Sequence, residues 1–137
     1  MDSISIKRPI VVKAIMTEAF RQQLIAEAEE SKTRIDDNLK AVESEATKQM
    51  LNVEFSNPQQ AMMLRQEIEA EKERLMRMKA ELDWRIKEVE GVDIGSEIPF
   101  RVLDGEVVLQ KGDNFLKKMS SAEVVIKDWE VLEIRNA

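Results

Sequence analysis

The stretch Val53-Glu54-Phe55-Ser56-Asn57-Pro58-Gln59-Gln60 separates two charge-studded segments of more than thirty residues each, and its reading decides the fold. Pro58 cannot continue a helix arriving from Val53, because it lacks an amide proton and its ring crowds the carbonyl four residues back. Asn57 is a strong N-cap residue and proline is well tolerated at the first helical position, so Asn57-Pro58 reads as the start of a new helix. Two helices of similar length around a short break read as an antiparallel hairpin with its tip near 53–60. The competing reading is one continuous bent helix.

Working outward, Thr17 followed by Glu18 is an N-cap with an acid in the first turn, and neither Gly nor Pro interrupts the chain before Pro58. Phe20, Leu24, Ala28, Ser31, Ile35, Leu39, Val42, Ala46, Met50 and Val53 recur every eleven residues in three turns, close to the natural helix twist, so the stripe holds one face with little supercoiling. The second helix reads to about Glu90, with Gly91 as its left-handed stop. Its stripe, Ala61, Leu64, Ile68, Glu71, Leu75, Met78, Leu82, Arg85 and Val89, fits a coiled-coil heptad with charges at Glu71 and Arg85. Each helix spans roughly 50 Å.

The flanks are β-like. Ser3 to Met16 is rich in β-branched residues and reads as one or two strands, with Pro9 at an edge or bend. Beyond Gly91 the pattern turns to period two: Ile98–Leu103 and Glu106–Leu109 flank Asp104-Gly105, a hairpin-turn dipeptide, and Glu123–Lys127 and Val131–Arg135 flank a second tight turn at Asp128-Trp129-Glu130. The expected fold is α+β: a small antiparallel β sheet or barrel, discontinuous over 1–16 and 91–137, with a helical hairpin (coiled coil) over 17–90 inserted after the first strand.

Composition narrows the chemistry. The 137-residue chain contains no His, Cys or Tyr, which removes the imidazole and thiolate metal ligands, every thiol nucleophile and the commonest general base. No enzyme activity, catalytic residue, metal or cofactor is expected. Asp93, Glu97, Asp104, Glu106 and Asp113, with Gly91, Gly95 and Gly112, read as turn and strand-end chemistry. Residues 17–90 carry 17 acidic and 12 basic side chains, a balance of −5 within a total of −6, so the helical part is a poor bed for a nucleic-acid backbone. The longest apolar run falls short of the roughly 20 residues of a membrane span, so no membrane is expected and the cytoplasm is the default location.

Four stretches carry a family resemblance: IVVKAIMTEAFR at 10–21, GSEI at 95–98, KGDNF at 111–115 and VVIKDWEVLEIR at 124–135. They resemble the YlqD family of small bacterial proteins at both ends of the chain, while the helices are similar only in character. Similar sequences usually carry Asp-Gly in the last hairpin, where this chain has Asp128-Trp129. The resemblance implies no activity. In some bacteria family genes lie near ribosome-maturation genes, so the resemblance implies an RNA-related role by association only.

Two surfaces are candidates for binding. Phe55, Met62 and Met63 put adaptable apolar side chains near the tip and suit a protein partner, whose identity the sequence does not give. Lys111, Phe115, Lys117 and Lys118 could meet RNA phosphates with one stacking base. A transcript-cleavage factor of the Gre type would need paired carboxylates at the tip, where only Glu54 stands. The expected role is a non-enzymatic interaction or scaffolding protein, with a ribosome- or RNA-associated factor second and a prefoldin-like holdase third. A homodimer through the helices is also expected, because Ile25, Leu51, Met62, Met76, Trp84 and Ile86 fall off the two stripes.

Overall fold

The computed structural model describes residues 2–53 and 57–136. In chain order these form β1 (Ser3–Ile15), α1 (Glu18–Val53), α2 (Pro58–Gly91), β2 (Glu97–Gln110), α3 (Phe115–Met119), β3 (Ala122–Lys127) and β4 (Glu130–Arg135). The fold is α+β, and the chain divides into two compact units, 1–21 with 92–137, and 22–91.

In the first unit β1 is one unbroken strand of 13 residues that passes through Pro9. The proline is tolerated because pairing with β3 begins only at Ile10, so one side of the strand is still free at Pro9. β2 runs antiparallel to β1 along its whole length, from Ser3 opposite Gln110 to Ile15 opposite Glu97. The expected reversal at Asp104-Gly105 is therefore absent. Both residues lie inside β2, opposite Pro9 and Arg8. Glycine serves another purpose here: a Cβ at Gly105 would overlap the Ile10 side chain. A glycine inside a strand marks close approach as readily as a turn.

The four strands are ordered β2-β1-β3-β4 in an open sheet rather than a barrel. One pairing departs from the antiparallel expectation, since β1 and β3 are parallel. The cause is topological. After β2 the chain reverses, but β1 already occupies the inner side of β2, so β3 lands beyond β1 and runs in the same direction. The hairpin joining β3 to β4 has the two-residue turn Asp128-Trp129, both at positive φ (48° and 71°), conformations that Gly or Asn normally supplies. Tertiary contacts hold Trp129 there: its ring meets Phe20 and Phe100 edge-on at 5.9 and 5.6 Å, while Phe20 and Phe100 are 5.7 Å apart. Asp128 accepts a 2.5 Å hydrogen bond from the Thr17 hydroxyl, which itself accepts from the Phe20 amide and so caps α1. Val12, Ala14, Met16, Phe20, Ala122, Val125 and Ile126 form the buried core.

In the second unit the two long helices form an antiparallel hairpin. Lys32 pairs with Asp83 at 2.5 Å, Asp36 with Lys79 at 2.7 Å and Glu43 with Lys72 at 3.8 Å. Each step up α1 is matched by an equal step down α2, which one bent helix could not produce. Asn57 caps α2 through the amides of Gln59 and Gln60. The α1 stripe is buried or half-buried from Leu24 to Met50 as its period requires. On α2 the heptad holds only to Leu75; the inward positions then become Lys79, Leu82 and Ile86, leaving Met78 and Arg85 exposed. From Leu75 to Ile86 is the eleven-residue step of α1, so the second half of α2 follows a straight neighbour instead of supercoiling. Gly91 ends α2 as its last helical residue, without the positive φ expected of a left-handed stop; Gly95, at φ 92°, is where the backbone turns.

Candidate interaction surfaces

The hairpin presents Leu51, Met62 and Met63 next to its turn, at 64%, 63% and 63% exposure. Ala61 is buried beside them, so α2 packs inward through Ala61 while the two methionines face out. Phe55, the third residue expected at this site, lies outside the described residues. Of the apolar residues set off the stripes by sequence, Ile86 is buried and Ile25 half-buried. Leu51, Met62, Met76 and Trp84 remain exposed. Glu71 pairs with Arg74 on its own helix at 2.7 Å rather than across the seam. The Arg74 guanidinium holds the Glu71 carboxyl below its ordinary range.

The second surface is the connection between β2 and β3. At Lys111-Gly112 the chain turns with Gly112 at φ 98°. Asp113 closes the turn by accepting from the Gln110 amide through its carboxylate and donating its own amide to the Gln110 carbonyl. Asn114 then caps α3 through the Lys117 amide. At the other end Arg8, midway along β1, donates Nη1 to the carbonyls of Lys118 (3.3 Å) and Ser120 (3.2 Å). Those are helix C-terminal carbonyls with no intrahelical partner, so a cation from the sheet fixes the short helix in place. Sequence reading missed Arg8 because its partners lie 110 and 112 residues away. The structure thus brings Lys111, Phe115, Lys117 and Lys118 together on one pinned segment. Lys118 reaches Asp113 at 3.9 Å, whereas Lys111 and Lys117 form no ion pair among the described residues.

The carboxylates considered for chemistry are dispersed or committed. Arg135 gathers Glu97 at 2.6 Å, Glu133 at 3.0 Å and Glu123 at 3.5 Å, and Glu123 also meets Lys13 at 3.1 Å. The hydrogen bond from Arg135 pulls the Glu97 carboxyl below its ordinary range, and Glu97 raises the Arg135 guanidinium in turn. Such a network locks β4 and β2 to the central strands. Among the described residues no group of three or more acidic side chains is placed to hold a metal, and no helix is long and apolar enough to cross a membrane.

Comparison with known proteins agrees with this architecture. A Bacillus subtilis (strain 168) protein, "Uncharacterized protein YlqD", is 25% identical over 126 residues, covering 92% of this chain and 94% of that protein. The crystal structure of a protein of unknown function from Synechococcus sp. WH 8102 superposes with a TM-score of 0.85 over 97% of this chain and 95% of that one; at 20% identity the likeness is one of fold. The YlqD protein family matches residues 4–135, nearly the whole sequence, and the chain belongs to that family.

Proposed function

We propose that this protein is a non-enzymatic interaction protein whose helical hairpin supplies the contact surface for a protein partner. The observation that carries the reading is the trio Leu51, Met62 and Met63, three flexible or branched apolar side chains that stay open to solvent beside the hairpin turn. Methionine adapts to irregular partner surfaces at little steric cost. Ion pairs across the seam fix the register of the helices that carry the trio. The absence of His, Cys and Tyr supports a binding rather than a chemical role.

The test compares wild-type protein with Met62→Ser/Met63→Ser as bait. A partner held by the wild type and lost by the folded variant supports the reading, and equal capture by both removes the tip from consideration. A prefoldin-like holdase would use the same side chains; suppression of aggregation of unrelated unfolded clients by wild type alone would point to that use. The ribosome- or RNA-associated alternative rests on the α3 segment instead.

A further inference from the structure

We propose that α3 is a peripheral docking point for an anionic lipid surface. Its sequence is Phe115-Leu116-Lys117-Lys118-Met119. Leu116 is 78% exposed, Phe115 60% and Met119 39%, and none of the helix is buried. At about 100° per residue, Phe115, Met119 and Leu116 fall within one arc of about 100°. Lys118 lies about 60° beyond one edge of that arc and Lys117 about 100° beyond the other. An apolar arc flanked by lysines suits an interface between water and lipid: the apolar side chains enter the acyl boundary and the ammonium groups bend back to the headgroups. Lys111, at the turn leading into the helix, adds a third cation.

Charge and chemistry select this occupant over two others. A second copy docking symmetrically on the same patch would set its lysines against these, and Asp113 already has Lys118 of its own chain as a partner. Single-stranded RNA would satisfy the lysines and stack on Phe115, but Leu116 and Met119 offer no aromatic face to a base, and the more exposed of them would stay in water. A lipid surface uses all three apolar side chains together with Lys111 and Lys117, which form no ion pair among the described residues, while Lys118 is held by Asp113. The Arg8 hydrogen bonds to the Lys118 and Ser120 carbonyls keep the helix from folding its apolar arc inward. The chain's net charge of −6 opposes long-range attraction to anionic lipid, so the contact is weak and reversible, as a single short anchor is.

The experiment is co-sedimentation of the full chain with vesicles of phosphatidylcholine alone and of phosphatidylcholine with about one-third phosphatidylglycerol, at low and about 0.15 M salt. Sedimentation with the anionic vesicles only, weakened by salt, is expected. Leu116→Glu should lower partitioning about tenfold, and Lys111→Gln and Lys117→Gln about fivefold each. All three positions are exposed, and an unchanged circular dichroism spectrum would confirm that the variants fold. No sedimentation at low salt, equal binding to neutral vesicles, or a Leu116→Glu variant that binds like wild type would each overturn the proposal. So would gel-shift binding of single-stranded RNA without vesicle binding, or a dimer that Leu116→Glu dissociates without any vesicle binding.

Discussion

At the residue scale, Gly105 shows how one side chain is chosen by a neighbour 95 positions away. In sequence, Asp104-Gly105 is a turn dipeptide; in the sheet, Gly105 leaves room for Ile10 to lie across it. Gly105→Ala should therefore cost about 1–3 kcal/mol through overpacking. The penalty should largely vanish in an Ile10→Ala background, so a double-mutant cycle by urea denaturation should show strong coupling between the two sites. If Gly105 acted only through backbone freedom, the cost would be the same in both backgrounds. Trp129 is the complementary case, a large side chain at φ 71°, a conformation glycine adopts most readily, held there by edge-on packing against Phe20 and Phe100.

At the element scale, the hairpin's ion pairs set register more than they add stability, because exposed pairs are screened and constrain long side chains. Cysteines substituted for Leu39 and Leu75 should crosslink on mild oxidation, since the three pairs across the seam place these positions opposite each other. The native chain has no cysteine to confuse the readout. A neighbouring pair such as Leu39 with Leu82 should not crosslink. The ion pairs also fix the direction of pH dependence. The hydrogen bond from Lys32 lowers the Asp83 carboxyl, and those from Arg74 and Arg135 lower Glu71 and Glu97. A carboxylate lowered by folding contributes stability above its unfolded pKa, about 4, and loses it as the pH falls through its folded value. Lys32, raised first by its hydrogen bond to Asp83, contributes below its unfolded pKa and loses that contribution only as the pH rises beyond it. Thermal melts should therefore be level from about pH 5 to 9 and decline below about pH 4. A melting temperature that rose on acidification would contradict these pairings.

At the scale of the whole molecule, the division into 1–21 with 92–137 and 22–91 has a direct test. Arg21 donates its guanidinium to the Val92 carbonyl, so the two points where the chain leaves and re-enters the sheet unit are adjacent. Replacing 22–91 with a short Gly-Ser linker should leave a folded sheet with dispersed amide resonances. Its stability should be low, because so small a unit buries a limited fraction of its apolar surface. A collapsed spectrum would show that the sheet depends on the helices. Self-association is the second test at this scale. Leu51, Met62, Met76 and Trp84 remain exposed on the hairpin, and sedimentation equilibrium should give twice the 15.8 kDa chain mass. Met76→Glu/Trp84→Glu should return it to the monomer mass. Ile86, buried in the seam, is unsuitable for that test because its replacement would disturb the hairpin itself.

The sequence by itself determined what local chemistry controls. Asn57-Pro58 had to restart a helix, Thr17 had to cap one, and the eleven-residue stripe of α1 had to face a partner, because caps, proline geometry and helical period act within a few residues. It also determined that the lysines and Phe115 lie on one short segment. The tertiary structure alone decided that Asp104-Gly105 continues a strand, that β3 runs parallel to β1, and that α2 buries Ile86 in place of Arg85. It alone decided that Arg8 pins α3 and that Trp129 occupies a glycine conformation. Each of these depends on a partner brought close by the fold from far along the chain, and a local pattern holds no record of which distant side chain will fill the space beside it.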